Sequence, residues 1–307
     1  MAGFDDAVAG TADDLVADAH DIGVRLRPRT IKDWVENGLL APPLFRKTTQ
    51  RGSDARLFPP EQRVLFRKIV EAKQRSPLPK VPHHTVAPVI IHMWLEDSGV
   101  VTDEQARRSL RTYSASAGAA TAAGRRATAR AVIAQFAHPE APRNTRREVE
   151  RLLVEAEETR NPRWEDLGAA MKDLVAPWRD DGRARLDGQT LGLPEMPMTF
   201  DYAVLLWMIK AEVSRDLRAE SIQPRSLLAA RREFRQGWAE YQRDRPALMA
   251  RVEGGALLFA QPDGWEARIR EHVDAFASTI GRVAGQADVI MSGARGGLGW
   301  RNRDWST

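Results

Sequence analysis

Apolar side chains recur at helical spacing along most of this sequence. Leu15, Val16 and Ala19 fall on one side of a helix that Thr11 can cap, with Asp13 and Asp14 in its first turn and a stop near Gly23. Ile31, Trp34 and Val35, at i, i+3 and i+4, make a second and shorter stripe. Pro28 has the fixed φ of a first helical turn, and Gly38 supplies the left-handed residue that ends one. Arg29, Lys32, Asp33 and Glu36 take the opposite side. After Pro42 and Pro43 comes a basic loop carrying Arg46, Lys47, Arg51 and Arg56, read as a hairpin that returns through Leu57 and Phe58. Pro59, Pro60 and Glu61 open a third helix with Val64, Leu65, Ile69 and Val70 on one face. Its cations, Arg63, Arg67, Lys68 and Lys73, are expected to spread over the domain surface.

Pro77, Pro79 and Pro82 then exclude helix and central strand, so a stiff connector and a domain boundary are expected there. The apolar run 86–95 predicts a buried element of either type, and Thr102 an N-cap for a helix through Leu110 and Tyr113. Residues 115–123 are small and read as a spacer or a loose helix start. Asn144 or Thr145 can cap a helix to Glu158 with Val149, Leu152, Leu153 and Ala156 as its stripe, and Pro162 starts another through Leu174. A loop over 180–197 precedes the most apolar helix, with Leu205, Leu206, Ile209, Val213 and Leu217, which is too short and too flanked by charge to span a bilayer. Helices near Arg225–Arg243 and Ala247–Phe259 should pack around it. Finally Trp265, Ile269, Val273, Phe276, Ile280 and Val283 approach a heptad seam, which can pack within its own chain or pair with a second subunit. The expected organisation is a disordered start (1–10), a first domain (11–76), a proline-rich linker (77–85), a helical middle region (86–137), an all-α bundle (138–291) and a flexible tail (292–307).

Composition narrows the chemistry. The 307 residues include no cysteine, which excludes disulfides, thiolate metal sites and cysteine nucleophiles, in keeping with a reducing, cytoplasmic setting. Met1 to Asp6 is acidic and lacks the apolar core of a signal peptide. His83, His84 and His92 lack companion ligands at fixed spacing, so no metal is expected. No phosphate loop, nucleophile elbow or paired-histidine motif occurs, so neither an enzyme nor a cofactor is expected. Charge is unevenly placed: residues 21–80 hold 14 lysines and arginines against 6 acids, a surplus of 8. The whole chain has 46 against 42, a surplus of 4, so the remainder carries a net −4. A basic module on a slightly acidic body is the distribution expected when one part meets a polyanion. Arg125, Arg126 and Arg130 form a second basic cluster, read as a solvated helix face or as contacts to flanking DNA.

The order Arg29-Thr30-Ile31-Lys32, Trp34, Gly38-Leu39-Leu40 and Arg56-Leu57-Phe58 resembles the winged helix of the MerR family of bacterial transcription regulators. The recognition helix of that family runs Arg-Thr-Leu-Arg-Tyr-Tyr and reaches Gly-Leu-Leu at the same spacing. The resemblance covers about residues 10–76. It implies an N-terminal winged helix-turn-helix domain, in which Arg29 and Lys32 face double-stranded DNA, Arg56 holds a phosphate and Trp34 packs inside. With the helical spacing of the remaining chain, the expected fold is mainly α, a winged helix-turn-helix domain followed by an all-α region. Arg27, Thr30, Arg46, Lys47 and Arg51 complete the expected DNA-binding set. A transcription regulator whose all-α C-terminal region dimerises, senses an effector or meets another protein is the leading reading. A recombination directionality or plasmid-maintenance factor is an alternative. A third is a protein-interaction module, suggested by Asp33, which stands where the family has an aromatic residue facing DNA.

Overall fold

The structure, a computed structural model, describes residues 8–46, 55–75, 83–116, 121–159, 163–177, 209, 211–251 and 259–284. Outside these lie the hairpin tip with Lys47 and Arg51, the proline-rich 77–82, the 180–197 loop, the first half of the apolar helix and the expected tail. The chain is mainly α-helical, with a single two-stranded hairpin among the described residues. It divides into two units, Met1–Ser116 and Ala117–Thr307.

The first unit begins with α1 (Ala12–Asp21). The Thr11 hydroxyl accepts from the Asp14 amide at 3.2 Å, and an Asp14 carboxylate oxygen accepts from the Thr11 amide at 2.7 Å, a reciprocal capping box. Gly10, expected within the unstructured start, exchanges backbone hydrogen bonds with Phe58 in both directions. Helix α2 (Pro28–Glu36) has Pro at its opening and buries Ile31 and Trp34. It ends in a Schellman motif: the Leu39 amide returns to the Trp34 carbonyl at 2.8 Å and the Gly38 amide to that of Val35 at 3.2 Å, with Gly38 at φ +77°.

Strands β1 (Leu44–Arg46) and β2 (Ala55–Leu57) pair antiparallel, with Phe45 opposite Arg56. Helix α3 (Pro60–Arg75) buries Leu65, Phe66, Ile69 and Val70. Phe66 replaces the expected Val64 at the centre of that face because it meets the Trp34 ring, the centroids 5.5 Å apart. Arg63 is not a surface cation either. It clasps the buried Asp18 carboxylate with two bonds of 2.5 and 2.9 Å and so joins α3 to α1.

Helices α4 (His83–Leu95) and α5 (Asp103–Ser116) form a hairpin that belongs to this same unit. Ile90 and Val100 enter the core built by Leu15, Ile31, Trp34, Leu40 and Phe66. The boundary therefore falls after Ser116 and not at the proline-rich segment, and the expected middle region 86–137 is split between the units. The apolar run of uncertain type is helical, and α4 starts at His83, inside the expected linker. Thr102 does cap α5, accepting from the Gln105 amide at 3.2 Å.

In the second unit α6 (Ala122–Phe136), α7 (Arg143–Glu158) and α8 (Trp164–Val175) share a core of Ile133, Val149, Leu152, Leu153, Leu167 and Leu174. A helical stretch over 211–218 buries Val213 and Leu217. Helix α9 (Pro224–Arg251) is one long helix where two were expected, and it passes through Pro246. Neighbouring Arg245 is 5% exposed, donates to the Phe259 and Ala260 carbonyls and holds Glu271 at 2.8 Å. These contacts hold the chain just before Pro246, between the two helices that were expected. Helix α10 (Trp265–Val283) packs along α9 through Phe276, whose ring lies 5.3 Å from that of Phe234.

Candidate nucleic-acid interface

Helix α2 separates its two faces cleanly. Ile31 and Trp34 are buried, while Arg29, Lys32 and Glu36 are exposed. Arg25 and Arg27 lead into it and are exposed as well, and Thr30 is half-buried. The N-terminus has no side-chain cap and no acid in its first turn. Backbone N–H groups and the helix dipole therefore point toward a place already lined with cations, which favours an anion. Lys32 lies 3.8 Å from Glu36, but at 77% and 57% exposure this i,i+4 pair is weak and leaves the lysine able to exchange partners.

Asp33 is half-buried and close enough to His83, at the α4 start, for its charge to act there. That charge favours protonation of His83, but burial outweighs it, and His84 adds to the effect, so the His83 imidazole titrates below its ordinary range.

The hairpin brings a second cation. Arg56 is exposed, and its guanidinium carbon sits 5.1 Å from the centroid of the cross-strand Phe45 ring. Phe45 and Leu44 are 68% and 63% exposed, which sets this strand apart from the buried faces around it. Arg46 lies in β1. Lys47 and Arg51 fall outside the described residues.

The other end of α2 is held by a row of side chains that hydrophobic periodicity does not find. Five successive carbonyls accept from α5. Val35 receives Arg108 at 3.1 Å, Glu36 receives Arg111 at 2.6 Å, Asn37 receives Thr112 at 2.9 Å, Gly38 receives Ser109 at 2.7 Å and Leu39 receives Gln105 at 3.1 Å. A helix end leaves its last carbonyls without internal partners, and here a neighbouring helix supplies them. Behind this row Gln62 donates to the Val100 carbonyl at 2.6 Å and to Gln105 at 3.0 Å, and accepts from the Ala41 amide at 2.8 Å. Gln62, Gln105 and Ser109 are all buried. The signal that could have exposed this row is polar: Gln105, Arg108, Ser109 and Thr112 recur at i, i+3, i+4 and i+7, which reads as a solvated face until its acceptors are known.

In the second unit two of the three residues of the expected basic cluster are engaged internally, and Arg126 is exposed. Arg125 pairs with Glu158 at 2.7 Å and Arg130 with Glu150 at 2.9 Å, both tying α6 to α7. The seam of α10 is likewise used within its own chain. Ile269, Val273, Phe276 and Ile280 are buried, Val283 is half-buried, and Trp265 alone of the six is exposed. Among the described residues no helix is long and apolar enough to cross a membrane.

None of the protein-family models, curated proteins or solved structures with which the chain was compared matches it.

Proposed function

We propose that the first unit is a winged helix-turn-helix DNA-binding domain, with α2 as its recognition helix and β1–β2 as its wing, and that the protein is a sequence-specific regulator of bacterial transcription. The observation that carries this reading is the exposure of Arg29 and Lys32 on the solvent side of a helix whose opposite face is anchored by Ile31 and Trp34. Either cation can donate to guanine O6 and N7 in a major groove. Arg27, Arg46, Lys47, Arg51 and Arg56 are assigned to phosphates, and Thr30 to the duplex edge of α2. The DNA-bound form pairs two copies on a two-fold site.

Titration of the full chain against a labelled duplex at rising salt tests the assignment. If about six phosphates are neutralised, affinity falls roughly a thousandfold between 50 and 200 mM salt. Absence of any salt-dependent duplex affinity at low salt would discard it.

A protein-interaction module is the second reading, favoured by the exposed Leu44 and Phe45. It requires that no duplex be bound under the same conditions.

A further inference from the structure

The row of bonds from α5 to the end of α2 has a consequence for how a duplex would be read, and it rests on the DNA-binding reading above. We propose that Gln105, Arg108, Ser109, Arg111 and Thr112 are positioning residues that set the pose of α2, so that the α4–α5 hairpin is a working part of the DNA-reading module. Three independent features support this. First, the donors match five consecutive carbonyls, Val35 to Leu39, so a shift of α5 by one helical position would break the whole row together. Second, the two backbones approach so closely at Gly38 that a Cβ there would collide with the Ser109 amide nitrogen and sit 2.7 Å from the Arg108 carbonyl carbon and the Gln105 carbonyl oxygen. Third, Gln105 and Ser109 have no exposed surface, so water cannot replace them as donors.

Phosphate attraction is long-ranged and tolerant of small displacements, whereas a base-edge hydrogen bond needs a separation near 2.7–3.2 Å and a near-linear angle. Loosening the end of α2 should therefore erode discrimination between sequences while leaving the electrostatic share of binding in place. Ser109 and Thr112 separate the two effects because neither carries charge.

The test uses the full chain and a duplex that the wild-type chain selects from a random-sequence pool, with unselected duplex as the reference. For the Ser109→Ala, Thr112→Val double variant, the ratio of selected to unselected affinity is expected to fall about tenfold, the scale of one mismatched base pair, with the salt dependence unchanged. Amide hydrogen exchange should quicken in α2 and stay at wild-type rates in α1 and α3. Thr112→Ser, which keeps its donor, should stay near wild type in both measurements. An unchanged ratio, a salt dependence that weakens in step with the ratio, or exchange that quickens uniformly across the unit would each overturn the proposal. A wild-type chain that discriminates while the double variant discriminates equally well sinks this inference alone. A wild-type chain that binds no duplex sinks the DNA-binding reading and this inference with it.

Discussion

Arg56 and Phe45 face each other across the β1–β2 ladder, the guanidinium carbon 5.1 Å from the centre of the ring. A guanidinium lying on a ring keeps its edge N–H groups free to donate, and the ring narrows the positions the charge can take. On the DNA-binding reading, Arg56→Ala should weaken binding to all duplexes alike and reduce the salt slope by about one. Phe45→Ala should weaken binding less, with the salt slope kept. Both side chains are exposed, so the melting temperature should barely move. Binding titrations at three salt concentrations on the two variants check this, and a slope unchanged by Arg56→Ala would remove Arg56 from the phosphate contacts.

Gly38 should not tolerate a side chain. Its φ of +77° lies in the left-handed region, where a Cβ costs about 1–2 kcal/mol, and the α5 backbone occupies the space a Cβ would need, which adds about 1–3 kcal/mol. Gly38→Ala is therefore expected to destabilise the first unit by about 2–5 kcal/mol in chemical denaturation. Gly99, also at positive φ but with nothing within 4 Å of a built Cβ, should suffer only the backbone cost.

Arg245 should be the most sensitive charged residue of the second unit. It is buried against the Phe259 and Ala260 carbonyls and the Glu271 carboxylate. Arg245→Ala leaves Glu271 without this partner and should cost about 3 kcal/mol. Arg245→Lys should recover little of that, because an ammonium cannot reach two carbonyls and a carboxylate as the planar fork does. Full recovery by lysine in urea unfolding would show that only the charge matters.

The pH dependence follows from His83. Its folded-state pKa lies below the ordinary 6.5, with burial as the main cause. The unfolded chain therefore takes up this proton first as pH falls. The contribution is fully present above about 6.5 and is lost as pH drops from there toward the folded pKa. Urea midpoints measured from pH 8 to 5.5 should fall less steeply for His83→Gln than for the wild-type chain. Equal slopes would show that His83 is solvated.

Much of the first unit was legible in local chemistry. Thr11 with Asp14, Pro28, Gly38 and Thr102 act at helix ends, where the rule relating residue to backbone spans only a few positions, and the structure has each of them doing that job. Ile31 and Trp34 are buried as their spacing required, and Arg29 and Lys32 are exposed. What could not be read is chemistry that depends on a distant partner. Arg63 looks like any helix cation until Asp18, 45 positions away, is placed beside it. The α5 row looks solvated until the α2 carbonyls arrive from more than 60 positions earlier. Pro79 and its neighbours suggested a boundary because prolines break elements, yet Ile90, which follows them in sequence, lies in the core of Trp34. The α10 heptad marked a packing seam without saying whose helix fills it, and α9 of the same chain does.

The most direct test of the account compares the sequences selected from a random duplex pool by the wild-type chain and by Arg29→Ala. The wild-type chain should select a defined site, and the variant should lose preference at one position at a cost of about 1–3 kcal/mol while keeping the rest of the site. Identical preferences for the two proteins, or no selected site for the wild-type chain, would contradict the claim that α2 reads DNA.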